Sequence, residues 1–201
     1  MTNSRRAMDV AELPSYMFGH QGVIWWGTTG FMVIEGALFA MVLVIYFYLR
    51  LRVDEWPPGL RDPDLRFGTF NVVLVIASII PAYLAKAASE RLDLTGARLW
   101  LVVLTIVSAA TVVVRACEFT TLNCRWDGNA YGSIVWVLMG LHTTHLVTDV
   151  ADSAVLAVLL YARPVHARRF VDVSENSRYW YFVVAWWIPV YLTIYFAPRW
   201  L

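Results

Sequence analysis

Residues 131–152 read YGSIVWVLMGLHTTHLVTDVAD, an apolar run that nevertheless carries His142, His145, Asp149 and Asp152. At about 100° per residue their spacing places all four within an arc of roughly 80° on one helix. The rest of the circumference is mainly Val, Leu, Ile, Met, Ala and Thr. A helix of this kind stands in a membrane only if its polar stripe faces protein or water. The stripe therefore demands neighbouring helices.

The remainder of the chain supplies them. Of its 201 residues 59% are hydrophobic and only 15% charged, against about 25% charged in an average soluble domain. Five segments reach the ~20 apolar residues that cross a hydrocarbon core: 23–48, 70–88, 99–118, 131–161 and 179–196. The expected fold is all-α, a five-transmembrane-helix bundle over 23–201, preceded by a polar segment, 1–22. That segment has no apolar core of a secretory signal, so insertion is expected to be driven by the internal helices. The connections 50–66, 90–98, 120–130 and 163–178 hold the prolines, turn formers and charges of loops. A net charge of +1 gives no field to recruit nucleic acid.

Lys and Arg set the expected orientation. Nine fall on the side of the N-terminus: Arg5, Arg6, Lys86, Arg91, Arg98, Arg163, Arg168, Arg169 and Arg178. Six fall on the other: Arg50, Arg52, Arg61, Arg66, Arg125 and Arg199. The positive-inside rule then puts the N-terminus in the cytoplasm and the C-terminus outside.

Ionisable groups within the spans are the candidate functional residues. Glu35 lies near the middle of the first span, where it either handles protons or contacts lipid, or else simply bonds a neighbouring helix. Arg115 and Glu118, at i and i+3, can pair with each other or with Asp149 or Asp152 on the fourth helix. Together with His142, His145, Asp149 and Asp152 they are expected to form an interhelical polar seam. His and Asp on one helical face also suit a transition metal, but spacing alone assigns none, and no metal site is expected. Cys117 and Cys124 fall on the outer side and can close a short disulfide loop or serve as two small apolar residues. There is no phosphate loop, GxSxG or CxxCH, and no self-sufficient catalytic constellation.

Several short motifs recur in a telling order: Glu35 followed by an aliphatic and aromatic run; Trp56, Pro57 and Pro58; Asn71 opening a helix; Glu118 and Phe119; Tyr131, Gly132 and Ser133; Gly140, His142 and His145; then Tyr179 and Trp180, with Trp187 beyond. In order and spacing they resemble subunit III of the haem-copper cytochrome c oxidases, over about 23–200, in the short form that lacks two N-terminal helices. The chain departs from that family at Tyr181 and Val184, where the family has His and Asp. Asp149 stands in place of glycine, Gly36 and Ala37 replace bulkier residues, and Arg115 replaces an uncharged one. Such departures suit a divergent branch such as the subunit III-like proteins associated with nitric oxide reductase.

The resemblance implies a non-catalytic subunit of a respiratory haem-copper oxidase in a bacterial plasma membrane. It implies packing on subunit I (and II), phospholipid held in a cleft, and support for proton uptake and active-site lifetime. It also implies that haem and copper reside in partner subunits and none in this chain. Two alternatives stay open: an accessory or assembly protein of nitric oxide reductase, and an intramembrane metal-dependent enzyme or ion transporter using the His/Asp stripe.

Overall fold

Residues 16–59, 61–162 and 165–200 are described by a computed structural model. A 3₁₀ turn at Gly19–Gln21 leads into α1 (Val23–Arg50). There follow α2 (Leu65–Ala77), α3 (Ile79–Glu90), α4 (Leu94–Thr120), α5 (Ala130–Tyr161) and α6 (Arg168–Tyr191). A π-helical turn, Leu192–Phe196, joins α6 to α7 (Ala197–Trp200). Among the described residues there is no strand. Five helical stretches are long and apolar enough to cross a membrane: Val23–Arg50, Leu65–Glu90, Leu94–Thr120, Ala130–Tyr161 and Arg168–Trp200.

The helix starts are written locally. Asp64 accepts from the Arg66 amide, Asp93 from those of Thr95 and Gly96, and Asn129 from that of Gly132, each filling an otherwise unpaired donor of a first turn. The second span is broken at Ser78. Pro81 has no N–H to offer the Ala77 carbonyl, and its ring crowds that carbonyl, so α2 stops and α3 starts again. The break is pinned from across the bundle, where Trp180 Nε1 donates to Ser78 Oγ at 2.8 Å.

Three expected boundaries shift. The second span begins at Leu65 and the third at Leu94, because the caps Asp64 and Asp93 set the first turns. The fifth begins at Arg168, not near 179. The stretch RRFVDVSENSR is too polar to read as a span, but it is helical and packs Phe170, Val171 and Val173 inward beside buried Ser174, Asn176 and Ser177. Arg5, Arg6 and Arg163, counted for orientation, lie outside the described residues.

The core is built on α6. Trp180, Val183, Val184, Trp187 and Val190 are buried along it, and it packs against α3 and α5. By contrast α1 buries only Phe39, Val42 and Tyr46 as it leans on α5 and α6. A polar cleft opens beside this lightly held helix.

Candidate functional site

The α5 stripe serves three separate polar groups rather than one seam. Residues three apart on a helix differ by about 60° in direction, enough to face different neighbours.

The first group is fully buried. Arg115 NH1 and Glu118 Oε2 stand 3.1 Å apart, each side chain 0% exposed. Glu118 also accepts from Asn71 Nδ2 at 2.9 Å and from the Tyr195 hydroxyl at 2.5 Å. The Arg115 guanidinium lies 3.5 Å over the Trp187 ring and donates to Met139 Sδ at 3.1 Å. Its NH2 meets His142 Nδ1 at 3.3 Å. Arginine can only donate, so His142 accepts at Nδ1 and carries its proton on Nε2, which donates to the Val183 carbonyl at 3.1 Å. Charge in this interior is tolerated because both members of the pair are hydrogen-bonded as well as paired. Of the two pairings open to Arg115 and Glu118, the mutual one forms. Asn71 and Tyr195 complete it; no local motif announces Tyr195, which the π-helical turn after Pro189 brings to Glu118.

The second group is centred on Glu35. Its Oε1 lies 3.1 Å from His145 Nε2, and its Oε2 accepts from the Tyr179 hydroxyl at 2.7 Å. His145 Nδ1 is 2.7 Å from the Leu141 carbonyl, which can only accept, so Nδ1 bears hydrogen. The Nε2–Oε1 contact is then bridged by one proton, held either as carboxylic acid and neutral imidazole or as carboxylate and imidazolium. Phe39 covers His145, with ring centroids 4.9 Å apart, and stacks on Trp186.

The third group joins α5 to the polar half of α6. Asn176 Nδ2 donates to Asp149 Oδ1 at 3.1 Å and to Asp152 Oδ2 at 3.3 Å. Ser153 Oγ donates to Asn176 Oδ1 at 3.0 Å and so orients the amide. Asn176 was invisible to sequence reasoning because its segment reads as a loop. Next to it, Arg178 pairs with Glu175 and reaches α1, donating to Thr29 Oγ1 at 2.9 Å and to the Trp25 carbonyl at 2.8 Å.

A cleft of about 790 Å³ between α1, α5 and α6 joins the second and third groups. Glu35, His145, Asp149, Asp152, Asn176 and Tyr179 form much of its polar wall; Ile24, Phe31, Val155 and Leu159 contribute apolar surface. Such a cleft can exchange protons along its carboxyl and imidazole groups or hold a mixed polar and apolar ligand. Among the described residues no three His, Cys, Asp or Glu side chains converge as a metal site. Both ring nitrogens of His142 and of His145 are already engaged.

The expected alternative of a disulfide is replaced by two free thiols. Cys117 is exposed, whereas Cys124 is buried in the loop before α5. Burial pushes the Cys124 thiol up to about 11.

No family model matches the chain. Among curated proteins it is similar to cytochrome c oxidase subunit 3 of Thermostichus vulcanus, at 25% identity over 86% of this chain and 87% of that one. It is 26% identical to cytochrome c oxidase subunit 3 of Corynebacterium diphtheriae, over 85% of this chain and 86% of that one. It is 28% identical to the probable cytochrome c oxidase subunit 3 of Mycobacterium tuberculosis, over the same shares. With the helix order and the motifs along it, these relatives make the chain a five-span homologue of cytochrome c oxidase subunit III.

Proposed function

We propose that the chain is a non-catalytic membrane subunit of a respiratory haem-copper oxidase, seated on the catalytic subunit I and supporting its proton supply and working lifetime. The observation that carries this reading is the Glu35, His145 and Tyr179 unit, a carboxyl in contact with an imidazole and a phenol in a cleft beside α1. His142 and His145 are both committed to protein partners. On this reading the redox centres belong to partner subunits, and the cleft holds phospholipid.

Glu35→Gln tests it. The Gln carbonyl can accept from Tyr179 and its amide can donate to His145 Nε2, so the seat survives while proton exchange is lost. Complex assembly is expected to be normal, with turnover lowered or inactivation hastened severalfold across pH. Identical curves for variant and wild type would reduce Glu35 to a packing residue.

The reading also places the chain in a bacterial plasma membrane with its N-terminus in the cytoplasm, following the nine-to-six split of Lys and Arg. A reporter fused after Leu201 should be active only outside the cytoplasm; activity inside would reverse the topology.

A second reading, an accessory protein of nitric oxide reductase, draws on the departures at Tyr181, Val184 and Asp149. Oxygen against nitric oxide consumption by the complex that co-purifies with the chain separates the two.

A further inference from the structure

The third polar group contains an imbalance. Among the described residues, five carboxylates line the cleft, those of Glu35, Asp149, Asp152, Asp172 and Glu175, against one guanidinium, Arg169. Arg169 is already paired with Asp172, and Glu175 with Arg178. Among the described residues, Asp149 and Asp152 share one donor, the amide of Asn176. Asp149 is 2% exposed, lines the cleft, and its Oδ2 has no hydrogen-bond partner among the described residues. A buried carboxylate oxygen with no donor is costly, and a second carboxylate beside it adds to the cost.

The level of this wall in the membrane follows from its contacts. Arg178 is fastened to Trp25 and Thr29 in the first turns of α1, and Trp25 and Trp26 mark an interfacial band. Asn176 lies two residues closer to the start of α6, and Ile24, Gly27 and Thr28 line the cleft with the two aspartates. The acidic wall therefore stands near head-group level, with Glu35 about 10 Å deeper along α1.

We propose that Asp149, Asp152 and Asn176 form a binding site for a primary ammonium group, the amine head group of a membrane lipid or a free amine. This deepens the lipid part of the reading above and rests on it. An N–H donor supplies what Asp149 Oδ2 lacks, and its charge offsets the paired carboxylates. A quaternary ammonium has the charge without the donor, and an anionic head group meets repulsion. Arg169, paired with Asp172, also lines the cleft and can meet the phosphate of a zwitterionic lipid, and Phe31, Val155 and Leu159 offer apolar surface to its chains.

The test uses the full chain in the complex with which it purifies, reconstituted in bilayers of phosphatidylcholine doped with phosphatidylethanolamine or phosphatidylglycerol, with retained lipid read by native mass spectrometry. Wild type is expected to retain the ethanolamine lipid roughly tenfold over its trimethylated counterpart, the discrimination of one charge-assisted hydrogen bond. Asp149→Asn and Asp152→Asn should each lose that preference, while Asp127→Asn, on the distant α4–α5 loop, keeps it. Displacement by free ethanolamine assigns recognition to the ammonium alone; persistence against it assigns recognition to the whole lipid. Equal retention of the two lipids, or unchanged preference in both aspartate variants, overturns the proposal. Haem-protein association scored in the same preparations separates the readings: lost association with lipid preference intact refutes the oxidase assignment and leaves this site standing.

Discussion

The Arg115–Glu118 pair offers the sharpest energetic test. Arg115→Met removes the guanidinium and leaves the Glu118 carboxylate fully buried, with donors only from Asn71 and Tyr195. Breaking one partner of a buried pair costs about 3–5 kcal/mol. In a chain of this size about 1 kcal/mol shifts the midpoint by roughly 2–4 °C, so Tm should fall by roughly 6–20 °C. Glu118→Gln keeps one acceptor oxygen, for Asn71 or for Tyr195 but not both, and strands the Arg115 charge, a loss at least as large. In the double variant neither charge remains. Met139 and Trp187, which already contact the guanidinium, give the Met side chain an apolar setting, and the double loss should be smaller than the sum of the single losses by more than about 2 kcal/mol. The assay is a thermal double-variant cycle on the purified complex, read by tryptophan fluorescence. Additive losses, or an Arg115→Met cost below about 1 kcal/mol, the range of a surface ion pair, would refute the claim that the two charges sustain one another.

Two further outcomes follow from local geometry. Gly68→Ala would place a Cβ 2.5 Å from Tyr195 Cζ, pushing that ring off Glu118; a loss of about 1–3 kcal/mol is expected in thermal melts, and wild-type stability would show that the ring moves freely. Thiol titration of denatured, unreduced protein should find Cys117 and Cys124 both free. In native protein at pH 8, Cys124 should resist maleimide, since a thiol at about 11 is thiolate in only about one molecule in a thousand; absence of free thiols or fast labelling of Cys124 would contradict the structure.

Much of the architecture was legible because the apolar runs are long. The helix at 131–161 follows from its apolar run, and of the four stripe residues expected to face protein His142, His145 and Asp149 are buried while Asp152 is exposed. What periodicity cannot say is which neighbour each residue meets. The stripe looked like one seam, but Arg115 takes His142, Glu35 takes His145, and Asn176 takes both aspartates. Residues 168–178 were hidden for a related reason. Their polarity signals a loop when each residue is weighed singly, whereas Asn176, Ser174 and Arg178 have partners on α5, α3 and α1 that make a buried polar helix affordable. Tyr195 depended on a π-helical turn with no local motif beyond Pro189.

The light seating of α1 gives Glu35 a structural role that must be separated from its chemical one. Three buried side chains hold this 28-residue helix, so its polar fastenings count for more than usual: Arg178 near its start, Glu35 at its middle, and Tyr46, which accepts from Trp56 Nε1 at 3.0 Å, near its end. Glu35→Ala removes the middle fastening and strands Tyr179 and His145, at about 1–3 kcal/mol for each unpaired group. Glu35→Gln strands neither. If Glu35 serves only to seat α1, activity should track stability, with Ala impaired and Gln normal. If it exchanges protons, Gln should be stable yet impaired, and the two variants should part company on the activity axis alone. Measuring Tm and turnover on both variants therefore resolves the roles, and a Gln variant matching wild type on both axes leaves Glu35 with packing and nothing more.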